Sequence, residues 1–127
     1  MFMLDTNVLI GLQKGSRELL ERLTELQDDE FAISSIVELE FRAGLEGLPG
    51  DSLDYQFGIA ILDRIRVYPF DSAAAQYAAR LRASAKLARK FDTLVAAHAL
   101  SLGKVLVTND RKGFAGVPGL KLDNWSK

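Results

Sequence analysis

Two hydrophobic periods alternate along the chain. Phe2-Met3-Leu4 is a short apolar run that stops at Asp5-Thr6-Asn7, after which Val8, Leu9 and Leu12 take up helical spacing, so a strand, a turn and a helix are expected. Ser16 is placed to cap a helix reaching to about Gln27, with Leu19, Leu20, Leu23 and Leu26 as its apolar stripe. Phe31-Ala32-Ile33 reads as a second strand, and Ser35-Ile36-Val37-Glu38 matches a capping box that opens the next helix. Gly44, Gly47, Pro49 and Gly50 end that helix and mark a loop. Leu53 to Leu62 predicts a further helix, Ile65 to Tyr68 a third strand, and Asp71-Ser72 the start of a long alanine-rich helix. Residues 91–102 read as a buried helix closed by Gly103, followed by the strand Val105-Leu106-Val107 and the polar turn Thr108-Asn109-Asp110.

Short apolar strands separated by helices predict an α/β fold, with a central, mostly parallel sheet covered on both faces. In such sheets reactive groups gather at the carboxyl ends of the strands. Two turns that directly follow a strand contain an aspartate, Asp5 and Asp110, each beside an asparagine or threonine. The length of 127 residues suits a single domain over residues 1–127 with one core, and no repeat or low-complexity segment divides it.

Composition removes several classes of function. There are no cysteines, which excludes disulfide frameworks and thiolate metal sites and fits a reducing cytoplasm. The start, Met1 to Asp5, has no basic segment and reaches a carboxylate too early for a signal peptide. The longest apolar stretch, Leu94 to Val107, is broken by His98, Ser101, Gly103 and Lys104 and is too short and polar to span a bilayer. A cytoplasmic protein without membrane contact is expected. The net charge of −1 conceals an asymmetry: residues 1–64 hold 13 acidic against 5 basic side chains, and residues 65–127 hold 4 against 11. An acidic centre beside a basic surface suits an enzyme that handles nucleic-acid phosphates, and solvated helix faces of differing sign account for it equally.

The candidate chemistry is carboxylate chemistry. Asp5 follows its strand immediately, while Glu40 and Asp92 lie in the first turns of helices rich in apolar residues. Several partly buried anions close together are costly unless a cation neutralises them. Mg²⁺ binds a few carboxylates plus waters and phosphate oxygens, and a metal so held activates water for phosphodiester cleavage. Asp5, Glu40, Asp92 and Asp110 are therefore the candidate catalytic and metal-holding residues. Each has a simpler reading: Asp5 as cap of the following helix, Asp92 as cap of a helix beginning near Thr93, Asp110 as an Asx-turn residue. Glu38 is explained by the capping box alone, whereas Glu40 has no local role and Gly44 leaves room beside it.

Other residues carry less. His98, the sole histidine, lies among alanines and reads as a hydrogen-bonded core side chain or one that supports a site from behind, rather than a catalytic base; without a second histidine, zinc-ligand spacing is absent. Gly103, Gly113, Gly116 and Gly119 form no phosphate-cradling motif after the first strand. Arg80, Arg82, Lys86, Arg89 and Lys90 form a basic run that tracks RNA phosphates or simply faces solvent. Trp125 reads as closing a core.

The segments Met3-Leu4-Asp5-Thr6-Asn7, Ile33-Ser34-Ser35 leading to Glu40 and Gly44, Phe91-Asp92 to Ala96-Ala97-His98-Ala99, and Leu106-Val107-Thr108-Asn109-Asp110 to Phe114 resemble the PIN-domain toxins called VapC. So do Val117-Pro118-Gly119-Leu120 and Asp123-Asn124-Trp125, and the resemblance spans nearly the whole chain. It implies a three-layer α/β/α fold, clustered acids holding Mg²⁺ or Mn²⁺, and cleavage of cellular RNA, with transfer and ribosomal RNA as substrate classes. The family's acids fall on Asp5, Glu40, Asp92 and Asp110, with Thr6, Asn7 and Thr108 supporting them by hydrogen bonds. The resemblance also implies a homodimer held inactive by a VapB-type antitoxin, whose tail brings a basic residue into the acidic groove. One departure stands out: many relatives carry a glycine-containing loop before the third acid, and here Leu87-Ala88-Arg89-Lys90 leads directly into Phe91-Asp92. Two rivals remain: an aspartate-based phosphotransfer domain with Asp5 as nucleophile, although Asn7 breaks the Asp-x-Asp pattern, and a non-catalytic RNA- or protein-binding module.

Overall fold

A computed structural model of the chain describes residues 1–84 and 90–126. In chain order the elements are β1 (Phe2–Leu4), α1 (Thr6–Gln13), α2 (Arg17–Thr24), β2 (Phe31–Ser34), α3 (Ser35–Glu46), α4 (Leu53–Arg64), β3 (Arg66–Tyr68), α5 (Ser72–Ser84), α6 (Lys90–Leu102), β4 (Val105–Val107), α7 (Arg111–Phe114) and β5 (Leu122–Asp123). The strands form one sheet in the order β3-β2-β1-β4-β5, and every neighbouring pair is parallel. Helices flank the sheet in the three-layer α/β/α arrangement. α5 packs closely on α6, which lies against β2 and β4, and α1 packs on α2, α3 and α4.

The strands are short because apolar runs of three or four residues are all the sequence supplies, and those in β1, β2 and β4 are buried almost throughout. Met3, Leu4, Ala32, Ile33, Leu106 and Val107 are at most 2% exposed, so the centre of the sheet is dry. Continuous rather than alternating apolar sequence is what a strand covered on both faces requires. Around this centre Leu9, Val37, Ala96, Ala97 and Phe114 complete the core. α1 begins two residues earlier than its apolar spacing indicates, at Thr6, because Asp5 caps it. α2 is capped by Ser16 and ends at Thr24; of its leucines Leu19 is buried and Leu20 points outward.

Two local expectations are corrected. The Ser35–Glu38 capping box does not form: Ser34 is the cap of α3 and accepts from the Ile36 N–H at 3.0 Å, while Glu38 pairs with Arg42 one turn on. Ser35 is instead used across the fold, its hydroxyl accepting from the Phe70 N–H at 2.9 Å. Asp92 does not cap a helix starting near Thr93, because α6 begins at Lys90 and Asp92 lies within its first turn. α7 and β5 are additions, each too short to show a period. Trp125 is buried and meets the Phe2 ring edge-on at 5.4 Å, closing the β5 side of the core.

The core placement predicts a contrast in stability. Ile33→Ala, at a fully buried site in β2, lowers the free energy of unfolding by about 2–5 kcal/mol, whereas Leu20→Ala on the exposed side of α2 changes it by about 0.5 kcal/mol or less. Urea unfolding of the two variants checks this.

Candidate functional site

From β1 the chain moves to β2 and β3 on one side, while β4 and β5 lie on the other. The crevice between the carboxyl ends of β1 and β4 is thus the topological switch point, where open parallel sheets bind ligands. Asp5 stands immediately after β1, and Thr108 immediately after β4. Their backbones are stitched together by the Asp5 N–H, which donates to the Val107 carbonyl at 2.9 Å.

Asp5 is only 6% exposed. One carboxylate oxygen, Oδ1, accepts from the Thr6 N–H at 2.8 Å; the other, Oδ2, accepts from the Thr108 hydroxyl at 2.8 Å and the Asn7 amide at 3.2 Å. Hydrogen bonds to a charged acceptor contribute about 1.5–3 kcal/mol each, so three of them offset the several kcal/mol that desolvating a carboxylate costs. The donors are themselves oriented. The Asn7 amide also donates to Thr108 Oγ1 at 3.1 Å, its Oδ1 accepts from the Asn109 N–H at 3.2 Å, and Thr108 Oγ1 accepts from the Asp110 N–H at 3.0 Å. The capping role of Asp5 and its place at the crevice are therefore the same fact: the helix N-terminus supplies one of the donors that hold the carboxylate.

Glu40 is half-buried on α3, and its Oε1 accepts from the Thr6 hydroxyl at 2.8 Å, which ties it to the residue next to Asp5. A Cβ at Gly44, one turn later, would meet nothing within 4 Å, so that side of Glu40 is open. Asp92 is 6% exposed in the first turn of α6. α6 runs into β4 from the opposite end of the sheet, which brings its start toward the carboxyl edge where Asp5 lies. Asp110 differs from the others. It is exposed, and its carboxylate caps α7 by accepting from the Gly113 N–H at 3.1 Å. A side chain at Gly113 would collide with that carboxylate and force it to shift. Asp110 enters the Asp5 network through its backbone.

Among the described residues no three His, Asp or Glu side chains are gathered closely enough to hold an ion by themselves. The donor set nevertheless fits a hard divalent cation: it is all oxygen, it includes the two buried carboxylates Asp5 and Asp92, and Mg²⁺ takes one or two carboxylates and completes its shell with water and phosphate. Arg80, Arg82 and Lys90 are exposed on α5 and α6, whereas Lys86, Arg89 and most of the shortened segment before Asp92 lie outside the described residues.

His98 is the hydrogen-bonded core side chain that the sequence predicts, but its partner and a second feature escaped the sequence reading. His98, 1% exposed, has Nδ1 2.7 Å from Ser34 Oγ and its ring 5.5 Å from Phe70 in an edge-on contact; the isolated histidine promised a partner, and the serine pair Ser34-Ser35 was the signal for which one. The second is an apolar groove of about 790 Å³ between α1, α2 and α4, lined among others by Leu12, Leu20, Leu23, Leu53, Phe57 and Ile61. Leu53 and Phe57 are 67% and 53% exposed, and the wide spacing of the groove's residues in sequence hid it.

The family model for the PIN domain matches residues 2–120. The chain is 32% identical over 130 residues to the tRNA(fMet)-specific endonuclease VapC of Salmonella typhimurium, covering 98% of this chain and 97% of that one. It is 30% identical over 132 residues to ribonuclease VapC2 of Rickettsia felis, covering 99% and 98%. Among solved structures it is similar to VapBC2 of Rickettsia felis bound to a promoter DNA fragment, with a TM-score of 0.86, 27% identity and 98% of each chain covered. It is also similar to VapBC-1 of nontypeable Haemophilus influenzae, with a TM-score of 0.82, 27% identity, and 99% and 98% covered.

Burial pushes the His98 imidazole below its ordinary value of 6.5 and outweighs the Asp71 carboxylate, which pulls the other way. The folded chain then binds this proton less tightly than the unfolded one, so the stability linked to His98 is complete above pH 6.5 and is lost as pH falls below it. Melting curves of the wild type and His98→Phe between neutral pH and mildly acidic pH check this: the wild type loses more stability on acidification than the variant.

Proposed function

Because the chain belongs to the PIN-domain family, we propose that it is an endoribonuclease toxin that cleaves loops of transfer or ribosomal RNA in the cytoplasm, arrests translation and is neutralised by a VapB-type antitoxin. The observation that carries the reading is the buried Asp5 carboxylate, held at the switch point by Thr6, Asn7 and Thr108. Asp5 and Asp92 supply two buried negative charges, Glu40 a third carboxylate aimed by Thr6, and Asp110 a fourth at the rim. These residues would hold Mg²⁺, or Mn²⁺, and such an ion when bound supplies an activated water and positive charge beside the phosphodiester. The rest is positioning: the donors around Asp5 fix its two oxygens, and the bond from Thr6 sets the distance between Glu40 and β1. Arg80, Arg82 and Lys90 offer cations to the RNA backbone.

The phosphotransfer reading lacks the second aspartate of the Asp-x-Asp pattern: position 7 is Asn, and its amide donates to the Asp5 carboxylate. The relatives' solved structures are toxin–antitoxin complexes, which supports assigning the apolar groove of α1, α2 and α4 to an apolar segment of the antitoxin. In this reading the active species is a homodimer.

Purified chain incubated with bacterial RNA and Mg²⁺ yields discrete fragments, and these vanish with EDTA and in the Asp5→Asn variant; RNA left intact by the folded wild type contradicts the nuclease reading. Phe57→Asp, in the groove and away from the acids, weakens capture of a cognate VapB-type antitoxin about 30-fold or more while sparing RNA cleavage. Unchanged antitoxin affinity in a titration places the partner elsewhere.

A further inference from the structure

Ser34 closes β2 and caps α3, and its hydroxyl serves two neighbours. Oγ accepts from the Ile36 N–H at 3.0 Å and lies 2.7 Å from Nδ1 of His98 on α6. Ser34 is 0% and His98 1% exposed, so water does not substitute for either partner. With Oγ already accepting from Ile36, directing its own proton at Nδ1 satisfies the hydroxyl as donor and acceptor; the opposite polarity leaves the serine proton to find another acceptor in a dry site. Nδ1 is then an acceptor, and the ring carries its proton on Nε2. The lowered proton affinity of the buried ring agrees with this neutral form. The ring is held further by Phe70, whose N–H donates to Ser35. Adjacent serines at the start of α3 are thus tied to two different elements, Ser34 to α6 and Ser35 to the segment that joins β3 to α5.

The two helices joined at this point each carry an acid of the site. Glu40 lies six residues after Ser34 along α3, and Asp92 six residues before His98 along α6. Each separation corresponds to about 9 Å of helix. α3 and α6 pack on one another, and rigid helices pass any slip at the Ser34–His98 contact to both carboxylates. We propose that the Ser34–His98 hydrogen bond is a positioning device that fixes the registration of α3 against α6, and thereby the spacing of Glu40 and Asp92 on which RNA hydrolysis depends. The inference rests on the nuclease reading above. His98 touches neither substrate nor metal in this scheme and acts through the helices.

The test uses three replacements in the full chain. His98→Phe keeps an aromatic ring against Phe70 and deletes the acceptor; His98→Asn restores a polar atom where Nδ1 stood; His98→Gln places it where Nε2 stood. Each is measured for folding, for kcat and KM on RNA, and for the rise in melting temperature that Mn²⁺ produces without RNA. Expected is a folded His98→Phe chain whose kcat falls about 10–100-fold with KM little changed and whose Mn²⁺ response shrinks. His98→Asn recovers most of both losses and His98→Gln does not. Wild-type kcat and Mn²⁺ response in folded His98→Phe overturn the proposal, as does equal behaviour of the Asn and Gln variants, which decides the matter should the Phe variant fail to fold. Failure of the wild type to cleave any RNA removes the nuclease reading instead, and the Mn²⁺ response across the variants still decides whether His98 positions the acids.

Discussion

A carboxylate taken out of water has to be matched by donors, and the carboxyl edge of this sheet is arranged around that demand at Asp5. Its partners come from two separate parts of the chain: Thr6 and Asn7 at the start of α1, and Thr108 at the end of β4. Satisfying Asp5 therefore forces β1 and β4 to finish at the same level and fixes where α1 begins. Glu40 is drawn in through Thr6, and the Asp110 turn through Thr108. A group that looks like an ordinary helix cap locally is, in the whole fold, the point at which the carboxyl edge of the sheet is assembled.

The surrounding core supports that arrangement by removing freedom. β1, β2 and β4 are buried on both faces and leave the chain almost no slack at their carboxyl ends. α3 is pinned at its first residues by Ser34 and Ser35, and α6 is anchored in its second half by His98. The parts of the surface that remain open are of a different kind: an apolar groove on the α1, α2 and α4 side, and cations on α5 and α6. The proposed nuclease toxin would use one surface for its antitoxin and the other for RNA, and here they lie on separate helices.

Much of this was legible in the residues. The apolar triplets announce short buried strands, and Asp5 directly after β1 and Asp110 in the turn after β4 mark the carboxyl edge of the sheet. Glu40 and Asp92 join them as carboxylates on helices rich in apolar residues, and the resemblance to PIN-domain toxins falls on the same four acids. What was illegible depends on tertiary choice. Ser34 and Ser35 are equivalent as caps by sequence, and only the arrival of His98 and Phe70 decides that Ser34 caps while Ser35 holds the β3–α5 connection. Glu38 then loses its partner and turns to Arg42. β5 has two residues and no period, and the groove is written in side chains scattered from Leu12 to Ile65.

The central claim is that Asp5 and its neighbours at the β1–β4 crevice form a divalent-cation site. Anomalous diffraction from crystals of the chain grown with Mn²⁺ tests it most directly. The account predicts a manganese peak in contact with Asp5 and Asp92 at the carboxyl edge of the sheet, and its loss in Asp5→Asn crystals. A crevice without manganese while the ion binds elsewhere on the chain contradicts it.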